Sequence, residues 1–85
     1  MTYRIEFALS AARAFKKLDG TIQNRIVPKI DALASDPRPH GAEKLTGQEN
    51  RYRVRVGDYR IIYVINDGGR IIIIAVIGHR REVYR

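Results

Sequence analysis

The chain of 85 residues predicts an α+β domain with the order β-α-α-β-β-β. Three observations carry that prediction. A short alternating segment opens the chain, two helical stripes follow it, and three apolar strand patterns then come in quick succession. Helices segregated from later strands indicate an antiparallel-rich twisted sheet with two N-terminal helices packed on one face.

Thr2–Phe7 alternates Tyr3, Ile5 and Phe7 with Arg4 and Glu6, which predicts a strand with one buried face. Ser10 can cap a first helix whose Ala11, Ala14, Phe15 and Leu18 share one side. Asp19-Gly20 breaks it, and Thr21 can cap a second helix. Ile22, Ile26, Ile30, Leu33 and Ala34 form its stripe, with Pro28 inside. A mid-helix proline removes a hydrogen bond and clashes with the preceding turn. Two readings stand: a helix kinked at Pro28, or a turn followed by a helix from Pro28. The stripe keeps its phase, which favours the kink.

Asp36-Pro37-Arg38-Pro39 ends the helix, and residues 36–50 read as a loop. Tyr52–Val56, Tyr59–Asn66 and Arg70–Gly78 read as strands. Gly57-Asp58 and Asp67-Gly68-Gly69 are the hairpin turns. The last strand is nearly all isoleucine and valine, as expected of a central strand covered on both faces. His79–Arg85 is a polar tail.

A chain this short holds one domain, residues 1–85, with one modest core. The formal charge is +7, from 16 Lys/Arg against 9 Asp/Glu. In residues 43–85, eight of the nine cations are arginine. Arginine offers a flat fork of donors that fits phosphate oxygens in pairs, so nucleic acid leads the partner classes. The absence of cysteine excludes disulfides and thiolate metal sites and fits a reducing cytoplasm. Met1–Ala14 has no secretory signal pattern, and the apolar run Ile71–Ile77 is too short to span a membrane.

The spacing of His40 and His79 signals no two-histidine nuclease, and no carboxylate cluster or glycine-rich phosphate loop is present. The reading is therefore an enzyme without metal or cofactor, if an enzyme at all. Arg51, Arg53 and Arg55 alternate with Tyr52, Val54 and Val56, so the arginines share one strand face. They repel unless something anionic lies over them; the plain alternative is a solvated outer face. Arg60 opens the next strand, close to Arg53 and Arg55 if it faces their side. The tail carries His79, Arg80, Arg81 and Arg85 with Tyr84, and Val83-Tyr84 should dock on something.

The string Lys44-Leu45-Thr46-Gly47, Tyr52-Arg53-Val54-Arg55-Val56, Tyr59-Arg60-Ile61-Ile62-Tyr63 and Gly78-His79-Arg80-Arg81-Glu82-Val83-Tyr84 resembles the RelE family of toxin–antitoxin systems. That family lies in the wider RelE/ParE superfamily, and the resemblance covers essentially the whole chain. It implies a RelE-like fold and a ribosome-dependent mRNA endonuclease acting in the A site. There the ribose 2′-hydroxyl attacks the neighbouring phosphate to leave a 2′,3′-cyclic phosphate. It implies a cognate antitoxin, the ribosome and mRNA as partners, with operator DNA reached through the antitoxin.

By the same resemblance, Arg60 stabilises transition-state charge on the phosphate, Arg80 acts near the leaving oxygen, and Tyr84 takes the 2′-hydroxyl proton or stacks on a base. Arg53 and Arg55 stand where the best-known members carry lysine. Arginine does not give up its proton, so these two bind phosphate, with Lys44, Arg51 and Arg81 as further RNA contacts. The base is then Tyr84, provided surrounding cations lower its pKa from ~10, or Glu43, near where the YoeB-like branch places a glutamate. The acid is Arg80 or, as an easier donor, His79. Two rivals share the fold: a ParE-like gyrase poison and a non-catalytic partner-binding module.

Overall fold

The computed structural model describes residues 2–47 and 49–83. The strands are β1 (Arg4–Phe7), β2 (Glu43–Lys44), β3 (Arg51–Val56), β4 (Tyr59–Asn66) and β5 (Ile71–His79). The helices are α1 (Leu9–Lys16), α2 (Gly20–Ser35) and a single turn, α3 (Arg80–Val83). One sheet runs in the order β1-β5-β4-β3-β2, with β1 parallel to β5 and every other pair antiparallel. The α+β class and the antiparallel-rich sheet are as the sequence predicts.

Both long helices lie on one face, where α1 supplies Ala11 and α2 supplies Ile26, Ile30 and Leu33. The sheet answers with Val54, Ile61, Tyr63, Ile65, Ile72, Ile74 and Ile77, all buried. Each fully buried aliphatic side chain contributes roughly 1.5–3 kcal/mol relative to exposure. The opposite face carries no long helix, and Ile73 on it is exposed. The expectation that β5 is covered on both faces is therefore corrected. A bulge interrupts its alternation: Tyr63 pairs with Ile74, but Ile62 pairs with Val76, leaving Ala75 unmatched. One extra residue shifts the alternation, so inward positions fall at Ile72 and Ile74 and then at Ile77.

Several local expectations change. Neither Ser10 nor Thr21 caps a helix: the N-cap positions are Ala8 and Asp19, with no side-chain hydrogen bond at either. The carboxamide of Gln23 instead donates to Phe15 O at 2.8 Å, satisfying a carbonyl at the end of α1. As the phase of its stripe favours, α2 does run through Pro28 as one helix. Pro28 and Asn24 are both exposed, so the carbonyl that loses its i+4 donor faces water, while the buried stripe is untouched. Loop 36–50 contains β2, and the polar tail starts at His79, the last residue of β5, and continues as α3. The second hairpin turn takes in Arg70, which has φ +53 and lies outside the strand.

A polar cluster ties the loop after α2 to the sheet. Arg38 pairs with Asp67 at 2.8 Å and lies 5.4 Å from the Tyr52 ring centroid. Tyr3 donates to Asp67 at 2.6 Å, and Tyr63 donates to Pro37 O at 2.8 Å. The Arg38 and Tyr3 hydrogen bonds hold the Asp67 carboxyl below its ordinary pKa, and burial pushes the Tyr63 phenol up to about 12. A depressed carboxyl stabilises the fold above its unfolded pKa of about 3.9 and loses that contribution as pH falls through the folded value. Urea midpoints measured from pH 6 down to pH 2 are expected to fall less steeply for Asp67→Asn than for the parent chain. Parallel curves would show that Asp67 is not coupled to folding.

Candidate functional site

Register and alternation put Arg51, Arg53, Arg55 and Arg60 on the uncovered sheet face. Arg55 pairs directly with Arg60, and Arg60 in turn pairs with Gly78. Directly opposed residues have Cβ atoms about 4.5–5.5 Å apart, so like charges there repel. The residue on the other side of Arg60 is a glycine, which leaves that position without a side chain. Arg60 is 7% exposed. Its Nη1 donates to Gly57 O at 3.2 Å and to Tyr59 O at 3.1 Å. Its Nε is buried without a hydrogen-bond partner. No carboxylate among the described residues pairs with it. A buried cation with a spare N–H, flanked by a second guanidinium, is a preorganised seat for an oxyanion.

The anion over the arginine ladder is Glu43. It pairs with Arg53 and reaches Arg55 at 3.7 Å. Two-residue β2 puts it there by pairing Glu43 with Arg53. Register sets Lys44 on the other side, beside Tyr52, away from the arginines. Arg51 shares the arginine face but lies opposite Val64, toward the far end of β4.

Beyond β5, the Arg80 N–H donates to Asp58 O at 2.8 Å, which fixes the start of α3 beside the β3–β4 turn and near Arg60. Arg80 and Arg81 are both exposed. His79 is directly opposite Tyr59 and meets its ring edge-on at 5.5 Å, on the helix side of the sheet. It is therefore not brought together with Arg60. Tyr84 lies outside the described residues. Sequence reasoning missed Gly78 as the residue set directly opposite Arg60. The signal was there: a lone glycine inside an apolar strand marks close approach of another group.

Among the described residues, no group of three or more His, Cys, Asp or Glu could hold a metal ion. No described helix is long and apolar enough to cross a membrane.

The model of a family described as the ParE toxin of the type II toxin–antitoxin system parDE matches residues 5–84. The chain is 30% identical to the putative toxin RelE1 of Methanocaldococcus jannaschii, over 100% of this chain and 98% of that relative. It is 27% identical to the mRNA interferase toxin RelE of Escherichia coli, over 99% of this chain and 92% of that one. A crystal structure of the archaeal RelE–RelB complex from Pyrococcus horikoshii matches with TM-score 0.82 and 32% identity, covering 94% of this chain and 97% of that one. The chain belongs to the RelE family of toxins, within the ParE-toxin family of type II toxin–antitoxin systems.

The unpaired burial of Arg60 carries a stability cost that an apolar replacement removes. Arg60→Met is expected to raise the stability of the free toxin by roughly 1 kcal/mol, read as a higher urea midpoint at unchanged slope. A lower midpoint would show that its two backbone hydrogen bonds outweigh its desolvation.

Proposed function

We propose that this toxin is a metal-independent, ribosome-dependent mRNA endonuclease working in the A site. The single observation that carries the proposal is the buried Arg60 guanidinium, with no carboxylate partner among the described residues, set beside the Arg53/Arg55 pair. Such a group binds an anion far better than water does, and best where negative charge develops. The RelE relative named an mRNA interferase supports RNA as the source of that anion.

In this reading the ribose 2′-oxygen attacks phosphorus and the bond to the 5′-oxygen breaks. A 2′,3′-cyclic phosphate and a free 5′-hydroxyl result. Arg60 stabilises the added charge on the phosphoryl oxygens, while Arg53 and Arg55 hold flanking phosphate once Glu43 yields its place to RNA. Arg51 and Arg81 extend the RNA contact, with Lys44 at the sheet edge. Tyr84 takes the 2′-hydroxyl proton, a role that requires nearby cations to lower the phenol pKa from ~10. Arg80, at the start of α3, acts at the leaving oxygen. His79 faces the helices and does not share that task unless the tail rearranges. The ribosome supplies the geometry of the message, which side chains alone do not. The partner that restrains the toxin is an antitoxin, as in the RelE–RelB complex of Pyrococcus horikoshii. The setting is the cytoplasm, and operator DNA is reached through the antitoxin.

Primer extension on message from a translation reaction containing the toxin tests this directly. Cuts at A-site codons, insensitive to EDTA at fixed ribosome integrity, are expected. Arg60→Ala and Arg80→Ala should each slow cutting by about 10²–10³-fold and relieve growth arrest while the protein stays folded. If both variants remained fully toxic, the assigned site would be wrong. Intact message with double-strand DNA breaks would move the protein to the gyrase-poison branch.

A further inference from the structure

On the helix side of the sheet, a cleft of about 420 Å³ opens between α1 and the end of β5. Its walls include Ser10, Arg13 and Lys17 from the α1 segment, with Tyr59 and His79 from the sheet. Arg13 and Lys17 are one turn apart and project along one helix face. Both are exposed, and neither forms an ion pair with a described residue. No carboxylate lines the cleft. A helix C-terminus accounts for a cation in its last turn, but not for the histidine and tyrosine that complete the wall.

His79 Nδ1 accepts the Arg81 backbone N–H at 3.3 Å, which favours the tautomer with the proton on Nε2. The cleft thus offers two ammonium or guanidinium groups, an imidazole N–H and two hydroxyls. That set suits a ligand that only accepts hydrogen bonds. The cleft stands back to back with the arginine face: the pair Tyr59/His79 faces it, while the adjoining pair Arg60/Gly78 faces the other side. β5 is paired with β4 as far as His79, and on its other edge with β1 only over Ile71–Ile74.

We propose that this cleft binds backbone phosphates of a second RNA segment, separate from the one held on the arginine face. The inference rests on the reading that this toxin acts on ribosome-bound RNA. It gives that reading a physical reason for needing structured RNA: one sheet is clamped between two polynucleotide contacts.

The test is filter binding of the full chain to message-programmed ribosomes across a KCl series, with cutting measured on saturated ribosomes. Arg13→Ala combined with Lys17→Ala is expected to weaken binding about tenfold. The slope of log affinity against log salt should shrink by about 2, one for each phosphate no longer neutralised. Cutting on saturated ribosomes should be unchanged. Arg60→Ala should do the reverse, leaving binding and removing cutting. Unchanged binding and slope in the double variant would overturn the proposal. So would an absence of cutting at saturation with binding intact. Weaker antitoxin binding with ribosome binding intact would overturn it in favour of an acidic protein partner. A parent chain that binds ribosomes with the predicted charge dependence yet cuts nothing would overturn the endonuclease reading alone.

Discussion

Ala75 stands unmatched between Ile74, opposite Tyr63, and Val76, opposite Ile62, and the side assignments of the rest of β5 follow from it. Continued alternation from Ile72 and Ile74 would turn residue 78 inward and residue 77 outward. Ile77 would then crowd the arginines, and the glycine would leave a gap in the core. With the bulge, Ile77 joins the buried set, Gly78 falls opposite Arg60, and His79 turns toward α1. One inserted residue thus completes the core and sets a residue without a side chain opposite Arg60 at the same sheet end. Bulges raise local twist and re-aim side chains, which is what this site requires.

That placement sets stability against function. A buried cation without a counter-ion is unfavourable, and Arg55 directly across from it adds repulsion. Glu43 relieves part of this by pairing with Arg53 and Arg55, but not with Arg60. The compensating interactions lie at the other end of β4. There Asp67 accepts from Tyr3 and pairs with Arg38, Arg38 covers Tyr52, and Tyr63 anchors Pro37. These interactions join the start of the chain, the loop after α2, β3 and the second hairpin turn. The sheet therefore has one end where charges and polar groups are matched and another where Arg60 has no carboxylate partner among the described residues.

Much of this was legible in the residue order. Tyr59–Asn66 is a strand over the span that its β-branched run indicates, and the alternation from Arg51 to Val56 places arginines and apolar residues on opposite faces. What escaped was set by partners distant in sequence. A two-residue strand such as β2 has no periodicity to detect and exists only because β3 accepts it. The bulge was hidden because an all-apolar run reads the same in either phase. Pro28 left a kinked helix and a later helix start both open, because sequence does not tell whether the freed carbonyl meets water or core. Ser10 and Thr21 are good capping residues one position inside helices that begin earlier, at Leu9 and Gly20. Glu43 was legible as a carboxylate near the arginines, but its use as their counter-ion needed the register.

A chain of this size has few strands to spare, and here the same strand pair serves both faces. Successive residues Tyr59 and Arg60 on β4, matched by His79 and Gly78 on β5, point alternately to the helix-side cleft and to the arginine face. Neither surface can move without the other, because both hang on one backbone ladder. Arginine suits such a frame. Its rigid fork needs little ordering beyond what the strand already imposes, whereas a lysine would hold a single point charge on a longer search. Four of the arginines after residue 43, Arg51, Arg53, Arg55 and Arg60, lie on the paired strands β3 and β4. Loop-borne cations could reach an anion too, but without the fixed spacing that a strand pair imposes.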